Sequence, residues 1–300
     1  MTRPIIGRVF DGCVRRRLPR RGRTVPKSLL RLVAACSAFL LVGACGSGDE
    51  SGLVGKAGKG TIDIGISFDQ PGLGVRRLDG TFKGIDVDVA RYVAGELGVD
   101  ETGITWSEAQ PANREKLLTS GQVDLVLSTY SITEKRKEVI DFVGPYFLAG
   151  QDLLVRMDDG RITGPESLND DPNLRLCSVQ GTTSAEFVKT EFAKNVKLVE
   201  YPKFSDCVTA VLADNADAMT TDDVILAGYA AQNPELLRVV GHPFSKEEYG
   251  IGLRKGDAPG KAKIADAVRK MISSGEWRKI IERNVGPSGY VIPDPPTVAS

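Results

Sequence analysis

Between Ser128 and Arg136 the chain sets out three small hydroxyls, Ser128, Thr129 and Ser131, and then a guanidinium. They follow a short apolar run at residues 123–127 and flank Thr133, a predicted helix N-cap with Glu134 in the first turn. Backbone N–H groups, hydroxyls and an Arg fork gathered at one spot can grip a small carboxylate, because helix starts favour anions and a guanidinium offers paired donors. The bland alternative is an ordinary capped surface helix. A second group lies at residues 179–184, VQGTTS, where a glycine and hydroxyls precede another predicted helix start and the Thr183 N–H can reach the same anion. Asp222 closes the run DAMTTD and suits an ammonium partner, although beside Asp223 it also reads as a solvated turn.

Sharper chemistry fails on spacing. Residues 55–60, GKAGKG, lack the pattern and the hydroxyl of a phosphate-binding loop, and Gly72 and Gly74 lack the third glycine of a dinucleotide fingerprint. The only histidine is His242, beside Pro243, so zinc sites of the usual spacing and a His-based triad are both excluded. No metal and no cofactor is expected.

Residues 61–67, TIDIGIS, alternate as a strand does. Ile85, Val89, Val93 and Leu97 recur at i+4 as the stripe of a helix ended by Gly98. Asp86 and Asp88 in its first turn read as partners of the helix dipole rather than as a catalytic pair. A helix over 112–120 runs into the strand DLVLS, and the order returns about 90 residues later, with a helix over 205–213 and the strand at 217–221. Asp124 and Asp217 are equivalent, and five residues beyond them stand Thr129 and Asp222. Two similar α/β lobes with polar tips at strand carboxyl ends would face one cleft. Residues 151–156 and 249–253 read as the strands connecting them. Two helices follow, about 259–273 and 276–284, and the Pro-rich tail from 287 to 300 is expected to be extended and poorly ordered.

Residues 1–44 read as an export signal: ten Lys/Arg, one acid, and an uncharged run over 32–44 too short to span a bilayer. Val42-Gly43-Ala44-Cys45 looks like a lipobox, with Cys45 lipidated and residues 45–60 a flexible tether to the outer face of the cell membrane. Without the signal the chain carries 29 bases and 38 acids, a formal charge of −9 that argues against nucleic acid as a partner. Cys177 and Cys207 then remain in an oxidising compartment, where a disulfide is expected, two separate buried thiols being the alternative.

Residues 123–147, with Gly84-Ile85-Asp86-Val87-Asp88-Val89, resemble bacterial amino-acid-binding proteins that feed ABC importers, solute-binding family 3, over about residues 61–286. The resemblance implies a type II periplasmic-binding-protein-like α/β fold: lobe one over 61–152, lobe two over 153–248, a return to lobe one over 249–286, and the ligand in the interlobe cleft. It implies Arg136 as carboxylate clamp helped by Ser131, Asp222 as ammonium partner, Thr129 as a second acceptor through its carbonyl, and Thr183 on the carboxylate from lobe two. Phe68 would stack on the ligand. The loop at 67–74 and the run TTDDVILAGYA look most like the glutamate-binding branch of high-GC Gram-positive bacteria, with Arg76 or Arg77 meeting a side-chain carboxylate. The expected reading is thus a monomeric binder, not an enzyme, that takes L-glutamate or aspartate to ABC permease subunits. Alternatives are a binder of glutamine or another polar amino acid, a sensory partner of a membrane receptor, and an extracytoplasmic dehydratase on the same scaffold.

Overall fold

The computed structural model describes residues 52–192 and 194–298. The expected signal and Cys45 lie outside the described residues. The first described element is a helix, α1 (Leu53–Ala57), where a flexible tether was expected: Leu53 and Ala57 are buried, and the Leu53 N–H donates to Asp257 at 2.8 Å. Two apolar side chains at i and i+4 give the segment a face to bury, which the Gly-rich composition around them concealed.

Lobe one is built on β1 (Ile62–Ile66), whose Ile62, Ile64 and Ile66 are fully buried. A small antiparallel sheet follows, β2 (Asp69–Gln70), β3 (Gly74–Arg76) and β4 (Phe82–Lys83), where the sequence suggested only a loop. Then come α2 (Ile85–Glu96), β5 (Ile104–Glu108), α3 (Arg114–Thr119), β6 (Leu125–Val126), a single turn α4 (Glu134–Lys137) and β7 (Ile140–Ala149). Lobe two adds β8 (Gln151–Arg156), β9 (Arg175–Val179), α5 (Thr183–Phe187), β10 (Lys197–Tyr201), α6 (Phe204–Leu212), β11 (Ala218–Asp222), α7 (Asp223–Gln232) and β12 (Leu237–Val239). The chain returns through β13 (Glu247–Arg254) and ends with α8 (Ala258–Ser273) and α9 (Glu276–Val285).

The sheets run β5-β1-β6-β13-β7 and β10-β9-β11-β8-β12. In each, three parallel strands adjoin a long antiparallel one. The internal repeat appears as identical hydrogen bonding. The Asp63 N–H donates to Asp124 Oδ2 at 2.7 Å while the Asp124 N–H donates to the Asp63 carbonyl at 2.7 Å. In lobe two the Arg175 N–H donates to Asp217 Oδ2 at 2.9 Å and the Asp217 N–H to the Arg175 carbonyl at 2.8 Å.

Sheet membership changes two residues earlier than expected at each crossing. Gln151 and Asp152 already pair with β11, and Glu247 and Glu248 already pair with β7, because the long strands continue almost unbroken past Gly150. The tail also differs from expectation: it is extended, but the Tyr290 hydroxyl donates to Asp223 at 3.0 Å, and Ile292 and Val298 pack on the core. Cys177 and Cys207 form a disulfide joining β9 to α6.

Candidate functional site

The carboxyl ends of β6, β9 and β11 converge between the lobes around a small cavity of about 10 Å3, room for about one water with the lobes shut, so an amino acid can occupy it only when its walls move apart. Thr129, Ser131 and Arg136 from lobe one and Thr183 and Asp222 from lobe two all line it. The sequence therefore marked five residues that the fold brings together from two sheets. Thr133 caps α4 as expected, accepting the Arg136 N–H at 3.2 Å. α4 is a single turn, so little macrodipole can build up at its start, whereas α5 runs on without a break as a π-helix over Val188–Phe192.

Arg136 is held on three sides. Its Nη1 donates to the Ser131 carbonyl at 2.7 Å, its Nη2 to the Gly181 carbonyl of lobe two at 3.0 Å, and its Nε lies 3.4 Å from Glu115 on the outer side. Asp222 is buried, and the Tyr249 hydroxyl donates to its Oδ2 at 2.5 Å while Oδ1 has no partner. Burial, and next the neighbouring Glu247, push the Asp222 carboxyl well above the ordinary carboxylate range. An ammonium group beside Oδ1 would reverse that shift. Thr183 Oγ1 donates to Glu247 at 3.1 Å, which ties α5 to the returning strand β13.

Three expected contacts are not brought to the cavity. Arg76 and Arg77 are exposed, on the last residue of β3 and in the turn after it, and neither lines the cavity. Arg76 instead lies over the Phe68 ring at 5.8 Å, and Arg77 pairs loosely with Asp79 at 3.8 Å. Phe68 is absent from the lining as well and packs against Phe82, ring centroids 5.2 Å apart. Phe68 is half-buried against the core, whereas β3 and the turn after it leave Arg76 and Arg77 exposed.

A second guanidinium lines the cavity. Arg114, at the start of α3, is only 2 % exposed and lines the cavity. Its Nη2 donates to Ser128 at 3.3 Å, and its Nε is buried without a partner. The Tyr130 ring lies 5.1 Å from the Arg114 guanidinium and 5.0 Å from that of Arg136, within cation–π reach of both. Burial, and next the charge of Arg136, lower the Arg114 pKa to about 10. A signal was present: Arg114 leads the apolar pair Leu117 and Leu118 at i+3 and i+4, so it heads the inward face of its helix.

The lobes are shut on one another. Asp69 accepts from the Ser205 N–H and hydroxyl at 3.0 and 3.1 Å, Tyr229 donates its hydroxyl to the Asp69 carbonyl, and Lys203 pairs with Glu108 at 2.8 Å. Two close approaches need glycine. A Cβ on Gly228 in α7 would sit 2.3 Å from the Pro71 carbonyl oxygen, and one on Gly181, at φ +79°, 2.8 Å from the Ala112 Cα. Among the described residues no helix is long and apolar enough to cross a membrane, and no group of three or more metal-binding side chains gathers.

Residues 62–287 match the model of the bacterial extracellular solute-binding proteins, family 3. The chain is 42 % identical over 276 residues to the glutamate-binding protein GluB of Corynebacterium efficiens, covering 87 % of this chain and 93 % of that one. It is 31 % identical to the ABC transporter glutamine-binding protein GlnH of Bacillus subtilis, covering 82 % and 92 %. Among solved structures it resembles an ancestral arginine-binding protein bound to glutamine, at a TM-score of 0.70 and 32 % identity over 76 % of this chain and 98 % of that one. With its two lobes, its interlobe cavity and this match over most of its length, the chain belongs to the bacterial extracellular solute-binding proteins, family 3.

Proposed function

We propose that this protein is the receptor of an amino-acid ABC importer and that its ligand is L-glutamate, with L-aspartate the nearest competitor. One observation carries the choice: the charged residues lining the cavity are two arginines, Arg114 and Arg136, and one aspartate, Asp222. Glutamate brings two carboxylates and one ammonium, so each ligand charge meets an opposite one. Glutamine would leave one buried guanidinium without a counter-charge, which costs more than the lost contact alone. Arginine as ligand would set a third guanidinium against the two already present.

Arg136, with Ser131, takes the α-carboxylate. Asp222 takes the ammonium, Thr129 and Thr183 complete the wall, and Arg114 takes the side-chain carboxylate in the role first expected of Arg76 or Arg77. The similarity to GluB supports the same ligand. A lipid at Cys45 would hold the receptor at the outer face of the membrane, beside permease subunits.

Calorimetric titration of the purified protein, stripped of bound ligand, with glutamate, aspartate, glutamine, asparagine and arginine tests the reading. One-to-one binding with glutamate tightest is expected. A preference for glutamine would keep the receptor and remove Arg114 from its role. Consumption of the added compound over time would instead point to a dehydratase.

A further inference from the structure

Asp86 was expected to serve the dipole of α2, yet it makes no capping bond there. It is completely buried, and both its oxygens reach across the lobe. Oδ2 accepts the Thr129 N–H at 2.9 Å, and Oδ1 accepts the Tyr146 hydroxyl at 2.6 Å. Thr129 has φ +44°, a left-handed conformation that a β-branched residue rarely adopts and holds only when its surroundings impose it. The surroundings are specific. Gln70, also fully buried, donates Nε2 to Thr129 Oγ1 at 3.0 Å, and that hydroxyl donates to the Ser128 carbonyl at 2.9 Å. Tyr146 and Gln70 anchor this arrangement from β7 and β2, so three elements converge on one residue of the cavity wall.

We propose that Asp86 is a positioning residue of the ligand site: by accepting the Thr129 N–H it imposes the left-handed turn that makes the end of β6 a wall of the cavity. A carboxylate in so dry a place opposes folding on its own account, and burial raises its pKa to about 6. For packing α2 alone, an apolar side chain would serve better. The proposal rests on the amino-acid-receptor reading only for its affinity readout.

The test compares the purified wild-type protein with Asp86→Ala, Asp86→Asn and Thr129→Gly, and with the Asp86→Ala/Thr129→Gly double variant. Amide hydrogen exchange at residue 129 is followed without ligand, and the affinity for L-glutamate, or whichever amino acid the wild type prefers, is measured by calorimetry. Asp86→Ala is expected to lose at least about tenfold in affinity and to speed exchange at Thr129, as befits removal of a charged acceptor. Asp86→Asn should stay within about threefold, because its amide oxygen still accepts the N–H and its NH2 can turn to the Tyr146 oxygen.

Glycine adopts the left-handed conformation without strain, so in the Thr129→Gly background Asp86→Ala should lose less than about threefold. A merely structural Asp86 would show the same loss in both backgrounds and unchanged exchange at Thr129, and either result overturns the proposal. Should Asp86→Ala fold poorly, Asp86→Glu replaces it: the charge is kept, the acceptor is displaced by one methylene, and the same relief by Thr129→Gly is expected. A wild type silent toward the whole amino-acid panel would overturn the ligand reading, and the exchange comparison would then decide the role of Asp86.

Discussion

Arg114 and Asp222 both sit in surroundings that an amino acid would rebalance. The guanidinium is buried beside a second cation and the carboxyl beside a second acid, so each is unfavourably placed until an opposite charge arrives. Arg114→Gln should therefore lower glutamate affinity by about 100-fold, the order expected for a charge-assisted pair, while leaving glutamine within about tenfold. Competitive calorimetry with the two amino acids checks that ratio. For Asp222 the sign follows from the raised carboxyl. Below its raised pKa Asp222 carries a proton that the ligand ammonium displaces, so in that range binding releases a proton and affinity rises with pH until the pKa is passed. Titrations in buffers of different ionisation enthalpy should show that release, and Asp222→Asn should abolish both it and tight binding. Arg136→Ala should likewise abolish binding, since no other group on the wall reaches from the Ser131 carbonyl to that of Gly181.

At the scale of elements, α7 meets the loop after β2 at Gly228 and Pro71. Alanine in a helix is ordinarily more stabilising than glycine by about 0.5–1 kcal/mol. At position 228 its methyl would strike the Pro71 carbonyl with the lobes shut, a clash that parting them would relieve. Gly228→Ala should thus leave the thermal stability of the ligand-free protein unchanged or slightly raised, while weakening amino-acid affinity by about tenfold or more. A parallel fall in both quantities would place the collision in the open form as well. Periodicity made the long elements legible: β1, α2, α6, α8 and α9 lie within a few residues of expectation because each buries one repetitive face. The β2–β4 sheet was illegible because strands of two or three residues carry no period, and it leaves Arg76 and Arg77 exposed while Phe68 packs on the core instead of the cavity. Arg114 escaped notice because its helix is short and charged, so one inward cation looks like its solvated neighbours.

Across the whole molecule the lobes are joined at Gly150, again just before β13, and a third time by the tail, whose Tyr290 reaches Asp223 at the start of α7. The Cys177–Cys207 disulfide lies wholly within lobe two and closes a 30-residue separation. Replacing both cysteines by alanine should lower stability by about 3–4 kcal/mol in the chain-entropy account and leave affinity nearly unchanged, because neither sulfur lines the cavity. Denaturant unfolding beside calorimetry separates the two effects. The two-lobe plan was readable because the Asp124 and Asp217 tips repeat one hydrogen-bonding solution, whereas the crossing points blurred because strands continue straight through them. The rim of the cleft has a practical consequence. Lys135 and Glu186 sit 3.4 Å apart on opposite lobes, both largely exposed and clear of the ligand wall. A pair of fluorophores at these two positions would separate whenever the jaws part, turning the protein into an optical gauge of extracellular amino acid.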